Sequence, residues 1–156
     1  MLFFLLACTS TDSLMDVLDD VDAAAAGIDT LVSDHVSAVT AATTLDEVAA
    51  AESDYAAAWP AQKTVFADAM DMMGKCAMDV DDGVAMDDAM MAMDNMDAEM
   101  TAHGTAQAAC ATVEDCVATE ATHQAAMTIE TDTIRAGRAG WEDGTMECVM
   151  GDMAGM

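Results

Sequence analysis

The segment HGTAQAACATVEDCVATEATH, residues His103–His123, repeats an earlier segment of the same chain, HVSAVTAATTLDEVAAAESDY, residues His35–Tyr55. Aligned without a gap, the two share a histidine, three alanines, a threonine and a glutamate at matching positions. At the same offset the match extends back to Leu14 and forward to about Trp59 of the first copy. A chain with only three histidines that keeps His and Glu at the same places twice indicates an internal duplication.

Each copy is predicted to form a helical hairpin. The first copy has core-type residues at alternating spacings of three and four: Leu18, Val21, Ala25, Ile28, Val32, His35 and Val39. The second copy has the same stripe: Met86, Ala89, Met93, Met96, Met100, His103 and Gln107. This spacing places side chains on one helix face that packs against its neighbours. The capping motifs Thr44–Glu47 and Thr112–Asp115 predict that new helices begin at Leu45 and Val113.

Two hairpins with one apolar face each bury those faces most simply against each other. We therefore predict an all-α fold, an antiparallel four-helix bundle built from two duplicated helical hairpins. Hairpin 1 covers residues 14–76, a linker 77–83, hairpin 2 residues 84–141, and a Met/Gly-rich tail 142–156. A chain of 156 residues, poor in proline and aromatics, suits a single helical domain of modest size.

The charge and the missing motifs exclude several functional classes. The formal net charge is -26, with only four basic residues, which makes nucleic acid an unsuitable partner because its phosphates need cations. The chain has no glycine-rich loop followed by a lysine, the motif that binds nucleotide phosphates. It also has no sequence motif of a catalytic nucleophile, so an enzyme is not indicated. The chain has no Cys-x-x-Cys-His motif, so covalently attached haem is not expected. No sequence feature indicates a non-covalently bound haem either. An acidic surface does attract cations.

Histidine and glutamate occupy equivalent heights in both predicted hairpins. His35 and Glu52 lie about eight residues on either side of the first turn, and His103 and Glu120 do so around the second. At 1.5 Å per residue, all four lie roughly 12 Å from their turns. If both turns lie at the same end of the bundle, the four side chains meet in one layer. His123 lies one helical turn from Glu120 on the same face and is expected to join them.

Buried glutamates need charge compensation, and imidazole with carboxylate suits zinc, iron or copper(II). We therefore predict a protein that binds or stores a metal, copper or zinc by preference, without catalysis. The predicted ligands are His35, Glu52, His103, Glu120 and His123, with Met127 as an added soft ligand. The competing interpretation is a structural envelope protein whose His/Glu layer only fixes helix register. No particular protein partner is indicated.

The sequence Glu120-Ala-Thr-His123 resembles part of the ferritin-like design, in which Glu and Glu-x-x-His on facing helices build a metal site. The resemblance implies a metal site in a bundle core. The first copy departs from the pattern, because it has Tyr55 three residues after Glu52. Redox catalysis at a dinuclear centre is therefore not expected.

The chain starts with MLFFLLACTS, a short apolar run that is too short to span a bilayer. Its end, Leu5-Leu6-Ala7-Cys8, resembles the lipobox of a bacterial lipoprotein signal peptide. The resemblance implies that residues 1–7 are a signal peptide remnant, that Cys8 carries the lipid, and that residues 8–13 are a tether. The protein would then be anchored in a Gram-negative envelope through its lipid only, at the outer membrane facing the periplasm or cell surface. The alternative is an ordinary apolar N-terminus.

An even number of further cysteines in an exported chain indicates two disulfides. Cys110 and Cys116 flank the second turn and could form a disulfide across it. Cys76 and Cys148 each follow the last helix of a copy and could form the second disulfide. Metal-binding thiolates are the competing interpretation. The 17 methionines are most simply flexible core residues, although thioethers also favour copper(I) and can be oxidised sacrificially. Met-rich acidic exported chains resemble periplasmic copper-handling proteins in composition.

Overall fold

The protein is described by a computed structural model, which covers residues 14–74 and 80–143. These residues form four α-helices: α1 (Leu14–Ala41), α2 (Leu45–Met73), α3 (Val80–Ala108) and α4 (Val113–Asp143). No strand occurs within those two ranges. The predicted all-α four-helix bundle is thereby confirmed.

Both tight turns form at the capping motifs. The backbone N–H of Glu47 donates to Thr44 Oγ1 at 3.2 Å, and the Glu47 carboxylate accepts from the Thr44 N–H at 3.1 Å. At the second turn, Asp115 and Thr112 exchange the same two bonds, each at 3.1 Å. Because these bonds satisfy N–H groups that a helix start leaves unpaired, α2 and α4 begin at the predicted residues.

The helices pack as a square in which each sequential pair is antiparallel. α1 packs against α2 and α4, and α3 packs against α4 and, over a smaller area, against α2. Arg135 of α4 pairs with Asp29 of α1, and Lys63 of α2 pairs with Asp97 of α3. The two aspartates occupy matching positions of the repeat, and each meets a cation from the other copy. Both ion pairs are well exposed, so their contribution to the stability of the bundle is small. Their main effect is on which helices lie side by side.

The apolar stripes form a core in two parts. The main core fills most of the bundle, and its largest fully buried apolar side chains are Leu18, Ile28, Phe66, Met70, Met73, Met96, Met127, Ile134 and Trp141. A smaller cluster near the two turns contains Val39, Val48 and Cys116. Among the described helices, none has an apolar stretch suited to crossing a bilayer.

The observed ends of α3 and α4 differ slightly from the predicted boundaries of the linker and of hairpin 2. Helix α3 begins at Val80, inside the predicted linker 77–83, and α4 extends to Asp143, just past the predicted end of hairpin 2. The predicted signal remnant and tether, residues 1–13 with Cys8, lie outside the described residues, as do Cys76 and residues 144–156 of the tail with Cys148.

The capping motif gives a test of the first turn. Thr44→Ala removes the oxygen that accepts the Glu47 N–H, so the free energy of unfolding should fall by about 1 kcal/mol. Urea denaturation of the metal-free protein measures this change. Thr30→Ala, at an exposed position inside α1, is the control and should not destabilise because alanine is the better helix former. Equal losses in both variants would contradict the assignment.

Candidate metal centre

The structure brings two histidines and two glutamates together in one layer of the bundle core. Each helix contributes one: His35 from α1, Glu52 from α2, His103 from α3 and Glu120 from α4. His35, His103 and Glu120 are buried, while the Glu52 side chain keeps 20% of its surface exposed. The layer lies between the main core and the cluster near the turns, so apolar side chains cover it on both sides.

The candidate ligand atoms of this His/Glu layer are closely and evenly spaced. The Nε2 atoms of His35 and His103 lie 3.1 Å apart, and Glu52 Oε1 lies 3.0 Å from each of them. Glu120 spans the same pair, with Oε2 3.4 Å from His35 Nε2 and Oε1 3.4 Å from His103 Nε2. One ligand atom from each residue can be chosen so that all lie within 4.8 Å of one another. The group could therefore hold a metal ion.

Charges within the layer fix its protonation. Burial acts to lower the pKa of His35, but hydrogen bonds and charge attraction from Glu120 and Glu52 outweigh it and raise the pKa to about 9. Burial acts to raise the pKa of Glu52, but hydrogen bonds from His103 and His35 outweigh it and lower the pKa to about 2. Without a metal at neutral pH, the layer thus contains an imidazolium beside an ionised carboxylate.

Gln107 holds the buried carboxylate of Glu120. Its amide Nε2 donates to Glu120 Oε1, and also to the Cys116 carbonyl at 3.3 Å and Thr119 Oγ1 at 3.0 Å. Glu120 Oε2 makes no hydrogen bond of good geometry among the described residues, and its polar neighbour is His35 Nε2 at 3.4 Å. This buried oxygen therefore faces the imidazole of His35, and a cation bound between the two side chains would contact both.

His123 packs against the His/Glu layer without belonging to the four-residue group. Its ring stacks on His103 with centroids 3.9 Å apart, as Tyr55 stacks on His35 at 4.1 Å. Its Nε2 bonds to the Tyr55 hydroxyl at 2.9 Å, and its Nδ1 lies 3.2 Å from Glu99 Oε1. Burial lowers the pKa of His123 to about 3, with repulsion from His103 and His35 adding to it, so this ring stays neutral.

Met127, the proposed soft ligand, is placed in the main core. It follows Glu120 by two helical turns, which is about 10 Å along α4. It is buried at 1% exposure among apolar side chains. Met127 as an added ligand stays a prediction.

Three residues of the site had no role assigned from the sequence. Gln107 was expected only as a stripe residue, Tyr55 only as the counterpart of His123, and Glu99 not at all. The signal for Gln107 was an amide on an apolar stripe where the first copy has Val39. Glu99 replaces Leu31 of the first copy, and the polarity of that exchange was the available signal.

Cys110 and Cys116 are neighbouring free thiols at the second turn. Burial raises the pKa of Cys116 to about 12, and the hydrogen bond with Cys110 adds to this rise. Cys110 Sγ donates to Gln107 Oε1 at 3.6 Å. The structure has no disulfide between them, and the predicted disulfide across the turn and its alternative, a pair of metal-binding thiolates, make opposite predictions for the state of these two thiols.

The layer is reached from outside by surface clefts between helix pairs. One between α1 and α2 ends at His35, and one between α3 and α4 ends at His103 and His123. A third, between α2 and α3, has a volume of about 540 Å³ and is lined by Glu52, Gln107, Cys110 and Cys116 among small and apolar side chains.

Comparison with protein-family models, with curated proteins and with solved structures found no match. The chemistry of the site therefore has to be inferred from its own geometry.

The charge on His35 predicts how stability depends on pH in the metal-free protein. Its pKa rises from 6.5 to about 9 on folding, so its stabilising contribution is complete below pH 6.5 and disappears as the pH passes 9. A shift of this size corresponds to about 3 kcal/mol. Urea denaturation with a chelator present should therefore give a lower free energy of unfolding at alkaline pH than at pH 6.5.

The variant His35→Gln, whose amide takes up no proton in this range, is the control. Its alkaline loss should be smaller than that of the wild type by about the same 3 kcal/mol. Parallel pH profiles for the two proteins would contradict the charged state assigned to His35.

Proposed function

We propose that this protein binds one divalent transition-metal ion in the core of the bundle, with His35, Glu52, His103 and Glu120 as ligands. Zinc or copper(II) is favoured, and the role is binding or storage rather than catalysis. The observation that carries the proposal is the spacing of the candidate ligand atoms.

That spacing fits a small four-coordinate ion. Zinc in proteins takes nitrogen and oxygen ligands at about 2.0–2.1 Å in a tetrahedron, whose corners then lie roughly 3.3 Å apart. The five histidine–histidine and histidine–glutamate separations in the layer range from 3.0 to 3.4 Å. Glu120 presents a different oxygen to each histidine, and with one atom from each residue the four ligand atoms lie within 4.8 Å of one another. An ion bound here would therefore draw the two carboxylates inward to complete a tetrahedral ligand set.

The charges of the layer support the same proposal. Two carboxylates offset the charge of a divalent ion, so that the buried site has no net charge, and two neutral imidazoles complete it. The ion takes the place of the proton that compensates the carboxylates in the metal-free protein. Imidazole and carboxylate are ligands that suit zinc and copper(II).

Binding rather than catalysis follows from the number and burial of the ligands. Catalytic zinc keeps one coordination position open for water or substrate, whereas structural sites use four protein ligands. Here four protein groups are at hand, and three of them are buried. The strongly acidic chain would raise the concentration of cations near the site.

Attachment to a bacterial envelope through Cys8 is part of the proposal. It rests on the lipobox-like Leu5–Cys8 alone, outside the described residues. Copper among the candidate metals is favoured by the 17 methionines and by an exported location.

The ligand assignment predicts which histidines matter. Titration calorimetry with zinc and copper(II), followed by elemental analysis after dialysis against a weak chelator, should give about one ion per wild-type chain. His103→Ala should weaken binding by at least about 100-fold, since even changes beside the ligands cost 10- to 100-fold.

His123→Gln is the matched control, because it removes an imidazole that stacks on the layer but bonds to Tyr55 and Glu99. It should keep the stoichiometry and change affinity by no more than about 10- to 100-fold, as a residue beside the ligands does. A loss equal to that of His103→Ala would add His123 to the ligand set. Wild-type protein that binds neither metal would overturn the proposal.

The second candidate function is a structural one. One observation favours it: the layer already compensates its charges through His–Glu pairs in the metal-free state. Such a layer could fix the register of the two hairpins, as single polar core residues do in coiled coils. In that case His103→Ala would disturb folding or association, while the wild type binds no metal.

A further inference from the structure

The turn end of the bundle contains two thiols that the proposed His/Glu site does not use. Cys110 lies just after α3, and Cys116 lies in the first turn of α4. Both pack in the apolar cluster near the turns, and both line the cleft of about 540 Å³ between α2 and α3. Because the same cleft is lined by Glu52, it joins the thiols to the one partly exposed residue of the His/Glu layer.

A single side chain also connects the thiols to the layer. Gln107 Oε1 accepts from Cys110 Sγ at 3.6 Å, while its Nε2 donates to Glu120 Oε1. The single S–H of Cys110 is shared with the Ala106 carbonyl at 3.5 Å, so the amide contacts Cys110 on one side and bonds to a candidate ligand on the other. The shared cleft and the contacts of Gln107 are two separate observations, and both place the thiol pair beside the His/Glu layer.

The thiols and the amide distinguish the second copy from the first. At the positions of Gln107, Cys110 and Cys116, the first copy has Val39, Ala42 and Val48. All of these except Gln107 pack together in the apolar cluster near the turns. The first copy occupies the positions of the two thiols with alanine and valine. The repeat itself therefore does not require thiols at these positions.

We propose that Cys110 and Cys116 form a second metal site, which takes a soft monovalent cation, copper(I), beside the cleft between α2 and α3. Two thiolates select copper(I) over harder ions, and they suffice for it because this ion accepts two-coordinate binding. Zinc, by contrast, takes four ligands in protein sites. Binding replaces two thiol protons with one copper(I) ion, and both protons go to the solvent. No electron is transferred.

This inference does not depend on the proposed function, since the thiol pair and the His/Glu layer use different ligands. The two sites differ in the ions they suit, with sulfur ligands for copper(I) and nitrogen and oxygen ligands for divalent ions. A protein with both could hold copper in either oxidation state.

The test uses the full chain with Cys8, Cys76 and Cys148 replaced by serine, so that only the proposed pair of thiols remains. Copper(I) is titrated without oxygen against the chromophoric chelator bicinchoninate, and the thiolate-to-copper(I) absorption in the ultraviolet is followed. This protein should take up about one equivalent of copper(I) in competition with the chelator and develop the absorption band.

The matched variant adds Cys110→Ala and Cys116→Val, which reproduces the residues of the first copy and keeps the cluster apolar. It should keep its helical circular dichroism and lose both the equivalent and the band. A variant with His35→Ala and His103→Ala should keep both, which separates this site from the His/Glu layer.

Two results would overturn the proposal. One is retention of the copper(I) equivalent after both cysteines are replaced, because the methionines would then be the ligands. The other is a Cys110–Cys116 disulfide in protein purified without reductant, found by mass spectrometry of the unreduced chain, because the pair would then be a staple of the turn.

Discussion

The cost of burying a carboxylate constrains this structure more than any other interaction. Glu120 has 2% of its surface exposed, and an ionised carboxylate in such a place needs a compensating positive charge. His35 supplies that charge, because its Nε2 lies 3.4 Å from Glu120 Oε2 and 3.0 Å from Glu52 Oε1 and its pKa is raised to about 9. Each helix supplies one of the four groups, so the alignment of all four helices is tied to this layer.

The repeat accounts for the four-residue layer from a single pattern of one histidine and one glutamate per hairpin. One hairpin carries one His and one Glu at equal height, and two hairpins with their turns at the same end bring two of each to one point. The second copy then departs from the first where polar groups surround the layer. Gln107, Glu99 and His123 replace Val39, Leu31 and Tyr55, and they hold or flank the ligands. The copies thus share the candidate ligands and differ in their supports.

The fold could be predicted because its signals are local. The threonine-led capping boxes define the starts of α2 and α4, and the three-four spacing identifies the buried faces. The meeting of His35, Glu52, His103 and Glu120 followed from counting residues to each turn. Side-chain direction could not be obtained in this way. His123 shares a helix face with Glu120, yet its ring nitrogens bond to Tyr55 and Glu99, partners that depend on the exact rotation of neighbouring helices.

Other features of the site depend on contacts between helices that carry no sequence pattern. Gln107 bonds to Glu120 within its own hairpin. The three-four spacing predicts a buried position for residue 107 whether it is polar or apolar, so it does not predict this hydrogen bond. The start of α3 lies within the predicted linker, although the sequence has Asp79 directly before Val80 and aspartate is a favoured residue at helix starts.

Crystallography with anomalous diffraction, on protein loaded with zinc or copper(II), tests the central claim most directly. The account predicts a single strong anomalous peak between His35 Nε2 and His103 Nε2, within bonding distance of Glu52 and Glu120. A core without a peak, with the two nitrogens still 3.1 Å apart and the metal bound only at surface carboxylates, would contradict it.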